Sequence, residues 1–490
     1  MRTAIIGGGI AGLAAAYELE KARAGEAELE YTLFEARERL GGVLSTEIVD
    51  GAVLERGPDS FISEKPAAAA LCRELGIGAD LTPSNDSARK TFIVVKNRMV
   101  PLPDGLMFLV PTKLIPTALT RLFSLPTKIR MGLELLLPPR PSGLEDETVA
   151  SLVERHFGKE AVERLADPLL SGIYGGDATQ LSARAVLPRM VEMETKYGSL
   201  TRGMLAGHRK MTAMAAAAKK AGGPTRIPMA IFTTLKGGLQ QLVDALVLRV
   251  DPKAVRLATS VTRLEKTSTA WLVTANGLAE TFDAVIVASP AWAASQLLRE
   301  VDPDLAAELG GIPYSSSITV NLLYDEARLG KLPEGFGFLV PASEGRAMLA
   351  CTFVHRKFLG RTPPGKAVMR AFLGGMRNEA LLDQPDDLLV DTVRRELQEI
   401  LGKKVISMAI APEHAQVSRW RKAMAQYAPG HTARTERIAA RVAALPGLRL
   451  AGNAYDGIGI PDCIRLGRKA ATDLVAEARK PVETKTLTAR

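Results

Sequence analysis

The first forty residues leave this chain little freedom. Thr3-Ala4-Ile5-Ile6 reads as a short apolar strand, Gly7-Gly8-Gly9-Ile10-Ala11-Gly12 supplies a G-x-G-x-x-G turn, and Leu13-Ala14-Ala15-Ala16-Tyr17-Glu18-Leu19 continues as a helix. A second strand, Glu30-Tyr31-Thr32-Leu33-Phe34, ends at Glu35, 23 residues past Gly12, where an acid is placed to hold a ribose hydroxyl. Gly7 allows the tight turn, Gly9 lets backbone N–H groups approach a pyrophosphate with no Cβ in the way, and Gly12 lets the helix pack on the strand. Strand, turn, helix and terminal acid together predict an α/β domain of Rossmann type that binds a dinucleotide.

An acid in place of an arginine at position 35 favours an unphosphorylated ribose. Behind that strand, Arg37-Glu38-Arg39-Leu40-Gly41-Gly42 places a second glycine turn, along which a cofactor longer than NAD can continue. This points to FAD. Near the other end, strand Leu448 to Ala451, the turn Gly452 to Gly459 and a helix from Ile460 to about Ala478 repeat the arrangement. A glycine turn opening a helix aims free N–H groups and the positive end of the helix dipole at its occupant. In a flavoprotein the useful occupant is the pyrimidine side of the isoalloxazine, where negative charge collects on reduction.

At 490 residues the chain is too long for one core, so two or three domains are expected. Domains are expected at 1–85, 240–292 and 445–480 (discontinuous, FAD-binding), at 86–100, 222–239 and 293–444 (antiparallel sheet, substrate) and at 101–221 (helical), with 481–490 as a disordered tail. Lys159 to Leu170 reads as one helix, and Phe282 to Ala288 as a strand returning to the first sheet. The strand begins straight after Met1-Arg2, so cleavage of a signal peptide there would destroy the site, and a cytoplasmic location is expected. Three distant cysteines, Cys72, Cys351 and Cys463, show no metal spacing and read as structural thiols. The net charge of +9 admits anionic partners, but no basic run is interleaved with aromatics, which are only 5% of the chain, so nucleic acid is not an expected partner.

Four further stretches carry a resemblance: Gly57-Pro58-Asp59-Ser60-Phe61, Leu169-Leu170-Ser171-Gly172-Ile173-Tyr174-Gly175-Gly176-Asp177, Leu235-Lys236-Gly237-Gly238-Leu239 and Gly457-Ile458-Gly459-Ile460-Pro461-Asp462-Cys463-Ile464. With these the chain resembles, nearly end to end, the oxygen-dependent porphyrinogen oxidases of haem biosynthesis. The resemblance implies an FAD-binding domain, a substrate domain and a helical domain that in some members touches the membrane. It implies three successive two-electron oxidations of a porphyrinogen, each followed by reoxidation of the flavin by O2 to give H2O2. By motif position the FAD contacts would be Gly7, Gly8, Gly9, Ile10, Ala11, Gly12, Glu35, Ala36, Gly42, Gly57, Pro58, Asp59, Ser60, Val261, Trp420, Ile458, Gly459 and Ile460.

Hydride leaves a methylene bridge and the balancing proton leaves a pyrrole nitrogen, so such a reaction needs no strong protein base. The sequence has no Ser-His-Asp arrangement and only five histidines, without partner spacing. The protein's task is then to orient the substrate, exclude water and supply cations for the propionates. Phe372 is a candidate wall, the stretch Gly172 to Gly175 a candidate turn whose carbonyls accept from pyrrole N–H groups, and Lys65 a candidate propionate partner. Met107 follows Pro103-Asp104-Gly105-Leu106 where animal-type members carry an arginine, which favours the bacterial branch and coproporphyrinogen III, with protoporphyrinogen IX as the alternative. Flavin amine oxidases and redox-silent Rab-escort-like proteins share the fold and are disfavoured by the Gly457–Ile464 motif. The apolar segment Leu106 to Leu125 is expected, in falling order, to cover core, to form a substrate entrance or to touch a membrane. Nothing in the sequence sets the oligomeric state.

Overall fold

The computed structural model describes residues 1–25, 28–107, 109–139, 145–220 and 230–479; the expected disordered tail lies outside them. A five-stranded parallel sheet has the spatial order Val255–Arg256, Glu30–Phe34, Arg2–Ile6, Ala284–Val287, Leu448–Leu450. Its strands are apolar on both faces because each face is covered. Helices Ile10–Arg23 and Ile460–Ala478 lie on one of them, and Leu13, Leu19, Leu33, Ile286, Ile464 and Leu474 are buried together there. A Cβ on Gly467 would come 2.0 Å from the Ala11 carbonyl oxygen, so the two helices cross at backbone contact. Because all five strands run in parallel, the turns after Ile6, after Phe34 and after Leu450 leave the sheet at one edge, where ligands of such sheets bind.

The expected strand Phe282 to Ala288 is two elements. Leu278–Phe282 belongs to a separate three-stranded antiparallel sheet, and Ala284–Val287 to the parallel one. Asp283 makes the switch: its backbone N–H donates to the Arg2 carbonyl at 2.8 Å, and its carboxylate accepts from the Arg2 N–H at 2.6 Å.

The second large sheet has seven strands, in the order His414–Ala425, Tyr314–Asp325, Lys366–Gly374, Met348–Phe353, Gly337–Leu339, Thr91–Val95, Arg98–Pro101. Only the pair 337–339 and 91–95 is parallel. Period-two alternation gives this sheet two unlike faces. One carries Ile318, Val320, Leu322, Met369, Ala371 and Leu373, buried against Leu389, Val393 and Leu397 of helix Asp386–Leu401. The other carries Thr319, Asn321, Arg370, Gln416 and Ser418, all buried and all polar.

The described residues of 112–139 and 145–220 are mostly helical. Within the part expected to be helical, Leu106–Met107 instead pairs with Val110–Pro111 in a small hairpin. The helix expected to end at Leu170 runs on through a π-helical turn at Val162–Ala166 to Tyr174. Gly172 is therefore helical, not part of a turn, and Gly175 is the left-handed cap with φ +56.

Candidate functional site

At the first turn, Gly7 has φ +110, and a Cβ on Gly12 would lie 1.8 Å from the Gly7 carbonyl oxygen. Turn and helix thus fit only with glycine at both places. Gly9 differs: a Cβ there meets no atom within 4 Å, so the space in front of this turn is not filled by protein. The helix beginning at Ile10 directs the free N–H groups of Ile10, Ala11 and Gly12 toward it. Glu35, buried at the end of its strand, accepts from Gly8 N–H at 2.7 Å on one oxygen and from Arg37 N–H at 2.9 Å on the other. Each oxygen keeps a lone pair for a ribose hydroxyl. Ala36 is exposed beside it.

The second turn is locked onto the first. Gly41 N–H donates to the Gly8 carbonyl at 2.8 Å, and a Cβ on Gly42 would lie 3.1 Å from Gly9 Cα. The Arg39 guanidinium binds the carbonyls of Leu40, Gly42 and Leu44 and holds the loop's shape. The segment leading to Val261 runs alongside, with Ala258 N–H on the Arg37 carbonyl and Thr259 N–H on the Glu35 carbonyl. Val261 is half-buried at the start of its strand.

Residues Glu55 to Ser60 cross the polar face of the seven-stranded sheet, and side chains of that sheet seize their carbonyls. Asn321 Nδ2 donates to Glu55 O at 2.9 Å, Thr319 Oγ1 and Trp420 Nε1 to Arg56 O, the Trp420 bond being 2.7 Å, and the Arg370 guanidinium to Gly57 O. Thr234 Oγ1 donates to Asp59 O at 2.7 Å. In a trans peptide the N–H points opposite to the C=O. Arg56 O is turned to that sheet and Asp59 O to Thr234 of strand Phe232–Leu235 and to Arg361, so the N–H groups of Gly57 and Ser60 face away from these partners, and among the described residues no acceptor takes them. Two amides aimed outward from a backbone segment whose carbonyls are held at Glu55, Arg56, Gly57 and Asp59 suit the polar edge of an isoalloxazine. Gly57 itself is required, since a Cβ would lie 1.8 Å from the Val43 carbonyl oxygen. Trp420, named from motif position, stands 3.7 Å from that Cβ position. The Asp59 carboxylate turns away and accepts from Lys357 Nζ at 2.9 and 3.1 Å. Burial would raise its pKa, but the charges of Lys357 and Arg370 overcome that and hold it well below the ordinary carboxylate value.

At the C-terminal turn Gly457 has φ +96, and Gly459 caps helix Ile460–Ala478. Gly459 N–H donates to Asp462 Oδ2 at 3.2 Å, and Ile458, Gly459 and Ile460 follow one another around the helix start. Lys65 Nζ bonds both Asp462 oxygens, at 2.9 and 2.7 Å. Lys65 thus has a partner the sequence did not suggest, and a propionate would have to share its ammonium. The two remaining substrate candidates fare differently. Phe372 is half-buried on the polar face, with the Arg370 guanidinium carbon 4.7 Å from its ring centre, in the register that pairs it with Thr319. The Gly175 carbonyl already accepts from Met376 N–H at 3.0 Å, and the Tyr174 carbonyl from Ser315 Oγ and Gln426 Nε2. The expected acceptor turn is therefore corrected to the exposed last turn of a helix, where only Gly172 and Ile173 present carbonyls without a donor among the described residues.

Sequence reasoning missed Thr319, Asn321, Lys357, Arg361 and Arg370. For Thr319, Asn321 and Arg370 the only signal was polar alternation inside strands; Lys357, at the end of the short helix Val354–Lys357, and Arg361 just beyond it carried none. It also missed Arg377, which ties Asp167 and Asp177 together and so fixes the Gly172 helix to the end of strand Lys366–Gly374. Among the described residues no group of His, Cys, Asp or Glu suits a metal ion, and Cys72, Cys351 and Cys463 are buried and unbridged.

The family of flavin-containing amine oxidoreductases matches residues 10–475. A coproporphyrinogen III oxidase of Bacillus subtilis is 35% identical over 472 residues, covering 96% of this chain and 97% of the relative. A coproporphyrinogen III oxidase of Staphylococcus aureus is 31% identical over 479 residues, with 97% and 99% covered. The crystal structure of a protein from Exiguobacterium sp. 255-15, provisionally assigned as a protoporphyrinogen oxidase, superposes with a TM-score of 0.83 at 32% identity over 97% of this chain and 99% of that one. The outward amides, the two interlocked glycine turns and the ribose acid fit FAD. The chain belongs to the flavin-containing amine oxidoreductases and, within them, to the porphyrinogen oxidases, with FAD as its cofactor.

Proposed function

We propose that this protein oxidises coproporphyrinogen III to coproporphyrin III in haem biosynthesis. Six hydrogens leave the macrocycle in three steps, and three O2 become three H2O2. FAD, when bound, accepts each hydride and hands the electrons to oxygen. The chain's own residues do the rest. The turns at Gly7 and Gly41 hold the pyrophosphate, Glu35 the ribose, and the Gly57 and Ser60 amides the ring. Phe372 and the Gly172 helix form the substrate wall, and Lys65 at its rim shares its ammonium between Asp462 and a propionate. The full-length match to coproporphyrinogen III oxidases carries this reading, and the Exiguobacterium structure favours protoporphyrinogen IX as the second. Competition between the two porphyrinogens at equal concentration, followed by porphyrin fluorescence and peroxide release, tests it. Faster turnover of protoporphyrinogen IX reverses the order of the two readings, and turnover without oxygen or an added acceptor refutes the oxidant.

No helix among the described residues is long and apolar enough to cross a membrane. Within Leu106–Leu125, Leu109, Val110, Leu122 and Phe123 are buried in the core of the helical part, whereas Ile115, Leu119 and Leu125, with Ile129, Leu133 and Leu136 just beyond, are each more than half exposed. Lys113 and Arg121 are exposed among them. An apolar face edged by cations fits peripheral contact with an anionic bilayer, and sedimentation with phosphatidylglycerol vesicles, compared with phosphatidylcholine, tests it.

A further inference from the structure

Five charged side chains are packed behind Gly57–Ser60, and none is more than 12% exposed. Arg361 pairs with Glu55, and Lys357 and Arg370 share Asp59. Three cations therefore face two anions, and one positive charge is left over. No other acidic side chain among the described residues lies within 4.0 Å of these cations. The Nε atoms of Arg361 and Arg370 are buried without any acceptor.

A surplus charge in a low-dielectric interior is costly, and it persists where an anion outside the chain answers it. No side chain of the cluster is more than 12% exposed, too little to seat a substrate carboxylate directly on it. On one side it is walled by the segment Gly57–Ser60, whose Gly57 carbonyl takes Arg370 and whose Asp59 carbonyl takes Arg361, while the amides of Gly57 and Ser60 are left without an acceptor among the described residues. Whatever sits on those amides feels the surplus charge through protein rather than water, with little screening. Burial lowers the pKa of both Lys357 and Arg370, and Asp59 offsets this only in part, as a surplus of positive charge requires.

We propose that the Lys357, Arg361 and Arg370 cluster sets the reduction potential of the bound FAD by stabilising the negative charge it acquires with each hydride. With FAD bound, two electrons and one proton would leave a methylene bridge as hydride, a second proton would leave a pyrrole nitrogen, and O2 would take up both electrons and both protons as H2O2, so the flavin would carry one extra negative charge in between. This inference rests on the FAD-dependent reading above. Lys357 and Arg370 act through space and through the Gly57 backbone, so they are positioning and electrostatic residues that do not touch substrate.

The test is the two-electron midpoint potential of the FAD-loaded enzyme, measured by equilibration with reference dyes under anaerobic reduction. Lys357→Met removes the surplus cation and is expected to shift the reduction equilibrium at least tenfold toward the oxidised form, about 30 mV for a two-electron couple. Asp59→Asn removes an anion of nearly the same shape and is expected to shift it by a similar factor the other way. Opposite shifts from two neighbouring substitutions are not a result of loosened packing. If Lys357→Met does not fold, Asp59→Asn alone decides the sign. Unchanged potentials, or shifts in the same direction, overturn the proposal while a yellow, peroxide-producing wild type leaves the functional reading intact. A wild type that binds no FAD overturns the functional reading as well.

Discussion

Gly9→Val separates what the first glycine turn does for the fold from what it does for the cofactor. Gly9 has φ −71 and ψ −178, a conformation open to any residue, and its built Cβ meets no atom within 4 Å. Valine is a poorer helix N-cap than glycine, at a cost of about 1 kcal/mol, which the reduced freedom of the unfolded chain offsets by about 0.4–1 kcal/mol. The apoprotein should therefore melt within a few degrees of the wild type. The cofactor loses far more, because the isopropyl group occupies the approach to the turn's N–H groups. Charge-assisted hydrogen bonds are worth about 1.5–3 kcal/mol each, so losing two weakens FAD binding about a hundredfold to ten-thousandfold. Titration of apoprotein by quenching of flavin fluorescence, beside a thermal melt of the same sample, reads both quantities. A folded Gly9→Val protein that retains one FAD per chain refutes the assignment of this turn. Gly12→Val is the opposite control: its Cβ would lie 1.8 Å from Gly7 O, and loss of the native melt is expected with or without FAD.

His156 is fully buried, with Nδ1 2.9 Å from Glu134 and Nε2 3.2 Å from Glu194. Burial lowers its pKa, and the two carboxylates overcome that and raise it, while Glu134 and Glu194 are held low by their bonds to His156 and neighbours. The histidine's contribution is complete below about pH 6.5 and lost as pH rises through its raised value; the carboxylates' contribution is complete above about pH 4.3 and lost as pH falls through their lowered values. Melting temperature against pH should thus peak between these limits in the wild type, and the alkaline fall should flatten in His156→Gln, at a cost of about 3–5 kcal/mol for the broken buried pair. Trp420→Phe removes one of two donors to Arg56 O and should weaken FAD binding about fivefold, for about 1 kcal/mol, in the same fluorescence titration. Lys65→Ala should lower FAD retention through Asp462 by about 1 kcal/mol, a modest figure because the lysine is half exposed. A tenfold rise in KM at constant kcat in steady-state assays would mark its second role at a propionate.

The two glycine turns and both helices that flank them were legible because their physics is local: tight turns and helix starts demand particular residues within a few positions. The strand His414–Ala425 was not, although it is twelve residues long and carries Trp420. Its buried face is Gln416 and Ser418, so it lacks the apolar alternation by which strands are recognised, and the reason for that polarity is a backbone segment at Glu55–Gly57. The Asp59–Lys357 and Glu55–Arg361 pairs span 298 and 306 residues, and nothing near either partner announces the other. Gly172 was misplaced for a different reason. A glycine followed by Ile-Tyr-Gly suggests a turn, but Pro168 at the start of the helix and the π-helical turn before it carry the helix on to Tyr174.

The parallel sheet draws its strands from both ends of the chain, with Arg2–Ile6 in the middle and Leu448–Leu450 at an edge. A ribosome adding roughly 5–20 residues per second takes roughly 20–90 s to pass from one to the other. For that interval the helix Ile10–Arg23 has emerged without the helix Ile460–Ala478 that buries it, and the Gly9 turn has no opposing C-terminal turn. Completion of the FAD site thus waits for the strand Leu448–Leu450 and the helix Ile460–Ala478, and until they arrive the nascent chain must be kept from aggregating through its exposed apolar helix. Cellular yield of the holoprotein should for this reason depend on chaperone capacity and on free flavin at the moment of release more than on the stability of the finished fold.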